Sequence, residues 1–392
     1  MANEIILALH LFCGISIWLL TFGYVSILRI FVSVKSGMLH RKHPLPPIAV
    51  VIPTLNEEHG ILGKLEDMER CDYPRDRMTV VVVDGGSEDG TVERVKEEIS
   101  KGRKIKIISL PGACGKIDQV NHILKTPGPE ILVFSDSDSR LEPSCIRELV
   151  QSLIDDPKNA LVGASVEPKS FLLEERIHWL VLNTIWWLEG EIFAGAGISG
   201  VCYALNRRFF SHPMHDAVAE DIHIGLDAGA RGYRVRICRA AKAVELRVPQ
   251  TTVEFLQYRR RRGASYIHEL VFPPDHPHPP RGWKLIRLLR LRQFSWVPWL
   301  GAVFGATSLF LLATRFRIYP LVFSGLFIVS ACLMSRKLLR RDDGRPGAFA
   351  LISGMISYAV LIIISLLSLN KHPTEQGPLG GRKEIYDKYP TA

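Results

Sequence analysis

The chain has 392 residues, a formal net charge of +9 and an ordinary hydrophobic fraction of 47%. That length suits one large domain with accessory segments, or two modest domains. The seven cysteines (Cys13, Cys71, Cys114, Cys145, Cys202, Cys238 and Cys332) form no CxxC pair. Their scatter argues against a disulfide framework and a zinc site, and fits reduced thiols in a cytoplasm-facing domain. A basic excess points to nucleic acid or to an anionic membrane surface. Here much of it flanks long apolar runs, so a membrane is expected and nucleic acid is not.

Residues 5–28 are nearly all apolar, long enough to cross a bilayer as a helix. The chain starts Ala2-Asn3-Glu4, without the basic start of a cleaved signal peptide. The basic cluster Lys35, His40, Arg41, Lys42 and His43 follows instead, so residues 1–34 are expected to be a retained anchor. By the positive-inside rule the next domain faces the cytoplasm.

Residues 44–263 alternate between short β-branched runs and stretches of helical composition. The runs are 48–52, 79–83, 104–108, 131–134 and 161–166, and the helical stretches are 57–70, 91–101, 117–125 and 144–155. This alternation predicts an α/β domain with a mainly parallel sheet and helices on its faces. Ligands in such sheets bind beyond the carboxyl ends of the strands.

Three acid-bearing turns fall there. They are Thr54-Leu55-Asn56-Glu57, Asp84-Gly85-Gly86-Ser87-Glu88-Asp89-Gly90-Thr91, and Asp136-Ser137-Asp138-Ser139. Each alone is ordinary turn or cap chemistry; together, at the ends of correctly spaced strands, they point to a site. The first strand is not followed by GxGxxG, which excludes a dinucleotide-binding fingerprint. Gly112-Ala113-Cys114-Gly115-Lys116-Ile117 lacks the spacing and hydroxyl of a P-loop.

Asp136 and Asp138 offer hard oxygen ligands with room for phosphate oxygens, which suits Mg²⁺ or Mn²⁺ bridged to a diphosphate rather than zinc. Lys116 could add a cation on the same group. Further on, Glu220-Asp221 opens a helical stretch as a cap or a general base. The run Gln257-Tyr258-Arg259-Arg260-Arg261-Arg262 reads as a solvated or membrane-surface patch, or as a clamp on a leaving diphosphate. The Pro-rich stretch 272–280, with His276 and His278, reads as a stiff loop rather than a metal site.

Residues 281–293 place Lys284, Arg287 and Arg290 three apart, beside Trp283, Ile286 and Leu289. An interfacial helix is expected, with packing on the catalytic domain as the alternative. Residues 294–370 hold three further apolar candidates, 294–314, 318–334 and 348–369, and residues 371–392 form a tail. The basic connection 335–347 is expected to be cytoplasmic.

The ordered set of turns, the Asp-x-Asp pair, the Glu-Asp and the Gln-x-x-Arg run resembles the family 2 glycosyltransferases of the GT-A fold. The flanking apolar segments match their membrane-integrated branch, which includes ceramide glucosyltransferases and the cellulose, hyaluronan and chitin-oligosaccharide synthases. The resemblance implies that Thr54, Asn56 and Asp84 contact the nucleoside, with Glu57 in the same turn. It implies that Lys116 meets the diphosphate, that Asp136 contacts nucleotide or sugar, and that Asp138 holds Mg²⁺ or Mn²⁺ with it. Gly200 would lie near the acceptor, Asp221 with Glu220 beside it would supply the catalytic base, and Gln257, Arg260 and Arg261 would sit over the donor diphosphate.

Arg261 stands where the family usually has tryptophan, an acceptor-supporting ring in polymerising members. This favours an inverting transfer from a nucleotide diphosphate sugar, most commonly a uridine one, to a membrane lipid. A processive polysaccharide synthase is the alternative, and a non-catalytic scaffold with a relic nucleotide-binding domain is a third reading.

Overall fold

The computed structural model describes residues 1–35, 43–192, 195, 197–210, 213–214 and 216–338. The N-terminal apolar segment is helical from α1 (Ala2–Trp18) through a π-helical turn (Leu19–Gly23) into α2 (Tyr24–Lys35). The most apolar 18-residue window of residues 2–32 has a mean hydropathy of 2.3, and only 17% of it is covered by the rest of the chain. By length and composition, this is the one helix among the described residues able to cross a membrane unaided.

The strands of the α/β domain are β1 (Ile48–Thr54), β2 (Met78–Asp84), β3 (Ile105–Ser109), β4 (Ile131–Ser135), β5 (Ser139–Leu141), β6 (Asn159–Pro168), β7 (Cys202–Asn206) and β8 (Arg234–Glu245). They form one sheet in the order β3-β2-β1-β4-β7-β6-β8-β5. The half from β3 to β4 is parallel, as predicted. Beyond it β6 and β8 are again parallel, but β7 runs antiparallel to both β4 and β6, and β5 antiparallel to β8, so the sheet is mixed. The reason is local. The chain leaves β4 through the Asp136–Ser139 turn and re-enters the sheet beside it at β7 only after a long excursion, in the opposite sense.

Four helices come with these strands: α3 (Ile61–Arg70), α4 (Thr91–Ser100), which packs on β3, α5 (Lys116–Lys125), which packs on β1, and α6 (Cys145–Ile154), which packs on β6, β7 and β8. All seven residues of β1 are buried, the mark of a central strand covered on both faces. Each large aliphatic side chain so buried contributes about 1.5–3 kcal/mol. Then follow α7 (Leu173–Glu191), α8 (Glu220–Ala230) and α9 (Thr252–Val271).

Next comes α10 (Arg281–Ser295), which bends by 43° into α11 (Val297–Leu312), followed by α12 (Ile318–Leu338). The expected membrane-facing side of α10 turns inward. Trp283 and Ile286 are 4% exposed and join the core of the catalytic domain, while Leu285 and Leu288 face out. Leu289 packs on a second cluster made by Tyr24, Val25, Leu28, Ile185 and Leu188. The joint between the N-terminal helix and the α/β domain is polar at its centre: Glu189 accepts from Tyr24 Oη at 2.5 Å and pairs with Arg290 Nε at 2.8 Å. Gln293 Nε2 donates to Leu20 O at 2.7 Å, supplying a partner to the π-helical turn. The expected segment 348–369, the tail 371–392 and most of 335–347 lie outside the described residues.

Candidate active site

The carboxyl ends of β1 and β2 lie side by side, Thr54 opposite Asp84. Both are 2% exposed. The Asp84 carboxylate accepts from Gly86 N at 3.1 Å and Ser87 N at 3.2 Å, curling the turn back on the strand. Gly86 has φ +87° there, and a Cβ would lie 2.2 Å from Gly112 O, so only glycine fits. Asn56 adopts φ 56°, which asparagine tolerates, and bridges the two turns. Its N–H donates to Ser87 Oγ and its Oδ1 accepts from Glu88 N, both at 2.9 Å. Thr54, Asn56 and Asp84 therefore belong to one knitted ledge.

Beside it stands a charged cluster drawn from four elements. Lys116 opens α5, and its Nζ lies 2.5 Å from Asp136 Oδ1, 2.6 Å from Glu220 Oε1 and 3.2 Å from Gly200 O. Gly200 N donates to Asp221 Oδ2 at 2.6 Å. A Cβ on Gly200 would stand 3.0 Å from Lys116 Nζ, 3.1 Å from Asp221 Oδ2 and 3.2 Å from Glu220 Oε1. The glycine is the hub around which these three side chains close.

Burial, then the neighbouring Glu220 charge, pushes the Asp221 carboxyl up to about 7. Burial alone would lower Lys116, but Asp136, Glu220 and Asp221 outweigh it and hold the ammonium well above its ordinary value. Beneath the cluster Tyr203 is fully buried, and its hydroxyl has no hydrogen-bond partner among the described residues.

A second ionic group supports the Asp136–Asp138 turn. Arg247 Nη1 donates to Glu57 Oε1 at 2.6 Å, its Nη2 also pairs with Glu57, and Asp138 Oδ2 lies 3.7 Å away. Burial pushes Glu57 up to about 7 against the pull of Arg247. Asp138 is raised by burial and then by the adjacent Asp136. Under the turn, fully buried Lys64 donates to Ser135 Oγ and Ser139 Oγ at 2.9 Å each, and Ser139 Oγ donates to Asp136 O. Among the described residues no three His, Cys, Asp or Glu side chains converge on one point.

On α9 the arginine run separates by helical rotation. Arg259 points inward onto buried Glu175. Arg262 pairs with Glu245 at 2.7 Å, which also accepts from Tyr258 Oη at 2.9 Å. Arg261 lies over the Tyr258 ring at 5.7 Å, and Gln257 is exposed. Among the described residues Gln257 and Arg260 make no contact with the Lys116 cluster.

The structure thus brings Lys116, Asp136, Gly200, Glu220 and Asp221 together, puts Thr54, Asn56 and Asp84 on the adjoining ledge, and ties Glu57 and Asp138 to Arg247. Arg247, Lys64 and Tyr203 escape a reading of the sequence. Lys64 sits on an amphipathic helix like any surface lysine, and Arg247 meets Glu57 from 190 residues away.

A family model described as Glycosyl transferase family 2 matches residues 49–210, and one described as Glycosyl transferase family group 2 matches residues 131–364. The chain is 29% identical over 237 residues to the probable glycosyltransferase YdaM of Bacillus subtilis, covering 57% of this chain and 56% of that one. It therefore spans about half the length of that relative. It is 25% identical over 246 residues to the UDP-N-acetylglucosamine–dolichyl-phosphate N-acetylglucosaminyltransferase of Methanococcus voltae, covering 56% of this chain and 90% of that one. Among solved structures, the mannosyltransferase PcManGT from Pyrobaculum calidifontis, in complex with GDP-mannose and Mn²⁺, superposes with a TM-score of 0.67 at 20% identity. That match covers 92% of this chain and 98% of the other, a likeness of fold. With the second family model covering more than half of its length and the mixed sheet matching in architecture, the chain belongs to glycosyltransferase family 2 and has the GT-A fold.

Proposed function

We propose that the chain is an inverting glycosyltransferase that moves a sugar from a nucleotide diphosphate donor, a uridine one in the first instance, to a lipid at the membrane. The observation that carries the reading is Asp221, a carboxylate raised to about 7 and held by the Gly200 N–H beside Lys116 and Glu220. A base poised near neutral pH suits abstraction of a hydroxyl proton. In the step, the acceptor oxygen bonds to the anomeric carbon as the bond from that carbon to the diphosphate oxygen breaks. The hydroxyl proton passes to Asp221, and the electron pair leaves on the nucleoside diphosphate. One displacement inverts the anomeric centre.

Thr54, Asn56 and Asp84 receive the nucleoside, with Glu57 braced behind them by Arg247. In this reading Lys116, at the start of α5, meets the diphosphate, and Gln257, Arg260 and Arg261 of α9 are assigned to the same group. Asp136 and Asp138 fit a Mg²⁺ or Mn²⁺ ion: two hard carboxylates one residue apart, the second raised by burial and by the first. Magnesium-type sites use one or two carboxylates and complete the shell with phosphate and water. When bound, the ion neutralises charge on the departing diphosphate.

The lipid acceptor is supported by the uncovered apolar helix spanning residues 2–32 and its polar joint to α7 and α10. The M. voltae relative, whose name specifies dolichyl phosphate as acceptor, supports the same choice. In this reading the helix is a membrane anchor and the catalytic domain lies on the cytoplasmic side.

The test is labelled-sugar incorporation by membranes carrying the full chain, with a panel of UDP- and GDP-sugars and Mn²⁺ or Mg²⁺. Label extracted into organic solvent, lost in Asp221→Asn, is expected. Long aqueous chains would make the protein a polymerase, and failure to bind any nucleotide sugar would point to a scaffold.

A further inference from the structure

Helix α8 carries Glu220 and Asp221 in its first turn but begins without a side-chain cap of its own, because its N-cap position is Ala219. The acceptor comes from another helix. Glu269 on α9 is fully buried, and its Oε1 accepts from Val218 N at 2.6 Å and from Ala219 N at 3.1 Å. Its Oε2 lies 2.9 Å from His223 Nδ1, one turn into α8. One carboxylate therefore grips the backbone just before Glu220-Asp221 and a side chain just after it. Hydrogen bonds to a carboxylate in a dry setting are among the stronger ones available.

The location on α9 gives this grip a second meaning. Glu269 follows Arg262 by seven residues, about two turns at 3.6 residues per turn, so both occupy one face of the helix. Arg262 reaches Glu245 at 2.7 Å and is close enough to Asp221 for its charge to act on that carboxyl. A single rigid helix thus meets the Asp221 region at two points, through charge near its middle and through the backbone near its end. A small shift of α9 is passed to the start of α8.

We propose that Glu269, seated by His223, is a positioning residue that sets the place of Asp221 and couples it to the arginine-bearing helix α9. The proposal rests on the reading of Asp221 as the catalytic base. It assigns Glu269 no contact with substrate, since the side chain is sealed from solvent.

The test compares Glu269→Gln, His223→Asn, His223→Leu and Asp221→Asn in the full chain, in membranes. The assay uses whichever nucleotide sugar turns over with Mn²⁺ in the panel above. Binding of UDP or GDP with Mn²⁺ is measured in parallel by calorimetry, and rates are scaled to the folded fraction. For Glu269→Gln, kcat is expected to fall about 10- to 100-fold, the range for displaced catalytic geometry, while donor KM and nucleotide Kd stay within about 2-fold. His223→Asn, which keeps an N–H donor near the same place, should retain most of the rate that His223→Leu loses. Wild-type kcat in Glu269→Gln, with Asp221→Asn inactive, would overturn the proposal alone. A loss that disappears on scaling to folded protein would make Glu269 merely structural, and also overturns it. Wild-type turnover in Asp221→Asn would remove the base assignment, and the proposal with it.

Discussion

Replacing Gly200 by alanine is the smallest change that tests whether the Lys116 cluster is the catalytic centre. Gly200 has no positive φ, so alanine meets no backbone strain there. Its N–H, which donates to Asp221 Oδ2 at 2.6 Å, is retained. The added methyl would stand 3.0 Å from Lys116 Nζ, 3.1 Å from Asp221 Oδ2 and 3.2 Å from Glu220 Oε1. All three are ends of side chains, and each must retreat by roughly 0.2–0.4 Å to reach ordinary contact, well short of the 1 Å displacement that costs about 100-fold in rate. The expected result is a fall in kcat of about 10-fold, because three charged groups move together. Overpacking of this size costs about 1 kcal/mol, or about 2–4 °C in Tm for a domain of this size. Labelled-sugar transfer in membranes gives kcat and donor KM, and thermal unfolding of the solubilised chain gives Tm. A kcat within about 2-fold of wild type, with Tm unchanged, would refute the reasoning, since the reacting atoms then do not depend on these three groups.

Four further outcomes are expected. With Asp221 raised to about 7 and acting as a base, kcat/KM should climb about tenfold per pH unit below that value and level off above it, measured as a pH profile. The same shift has a stability sign. A carboxyl whose folded pKa is raised stabilises the fold fully below the usual carboxylate range, and that stability is lost as pH rises through about 7. Asp221→Asn should therefore melt higher than wild type at pH 8, with the gap narrowing at acid pH. Removing divalent metal with EDTA should weaken UDP or GDP binding by about 10-fold or more, restored by Mn²⁺ or Mg²⁺, and Asp138→Asn should weaken it with metal present. Arg290→Leu strands buried Glu189, which is fully buried and pairs with it at 2.8 Å, and should destabilise the chain by about 3–5 kcal/mol. Adding Glu189→Leu should recover part of that loss in the melting curve.

Half of the sheet was legible because β1, β2 and β4 are central strands whose continuous apolar runs need no pattern beyond length. β8 was not, since its sequence Arg-Val-Arg-Ile-Cys-Arg-Ala-Ala-Lys-Ala-Val-Glu carries a charge at nearly every third position. Val235, Ile237, Ala241, Ala243 and Glu245 are nonetheless its buried residues, an alternation interrupted by the irregularity opposite Ala164 and Ser165. β7 is five residues long and takes its place only through its neighbours β4 and β6. The site divides in the same way. Asp136, Asp138, Lys116 and Glu220-Asp221 stand out because each sits at the end of a strand or the start of a helix, where sequence pattern is informative. Arg247, Lys64 and Glu269 do their work across 190, 71 and 50 residues, and nothing local marks them.

The four consecutive arginines show why a charge run cannot be assigned a single role. A helix turns about 100° per residue, so neighbours in sequence enter different surroundings. Arg259 is 7% exposed against Glu175, a buried pair that fixes α9 to α7. Arg262 is shared between Glu245 and the field of Asp221, which fixes α9 to the end of β8 and to the start of α8. Arg260 is half-buried, and Arg261 is exposed with its guanidinium 5.7 Å from the centre of the Tyr258 ring. Arg259 and Arg262 thus hold the helix through Glu175 and Glu245. Position 261, where the family usually has tryptophan, takes part in neither pair. Arginine there leaves the anchoring of the helix to Glu175 and Glu245 untouched.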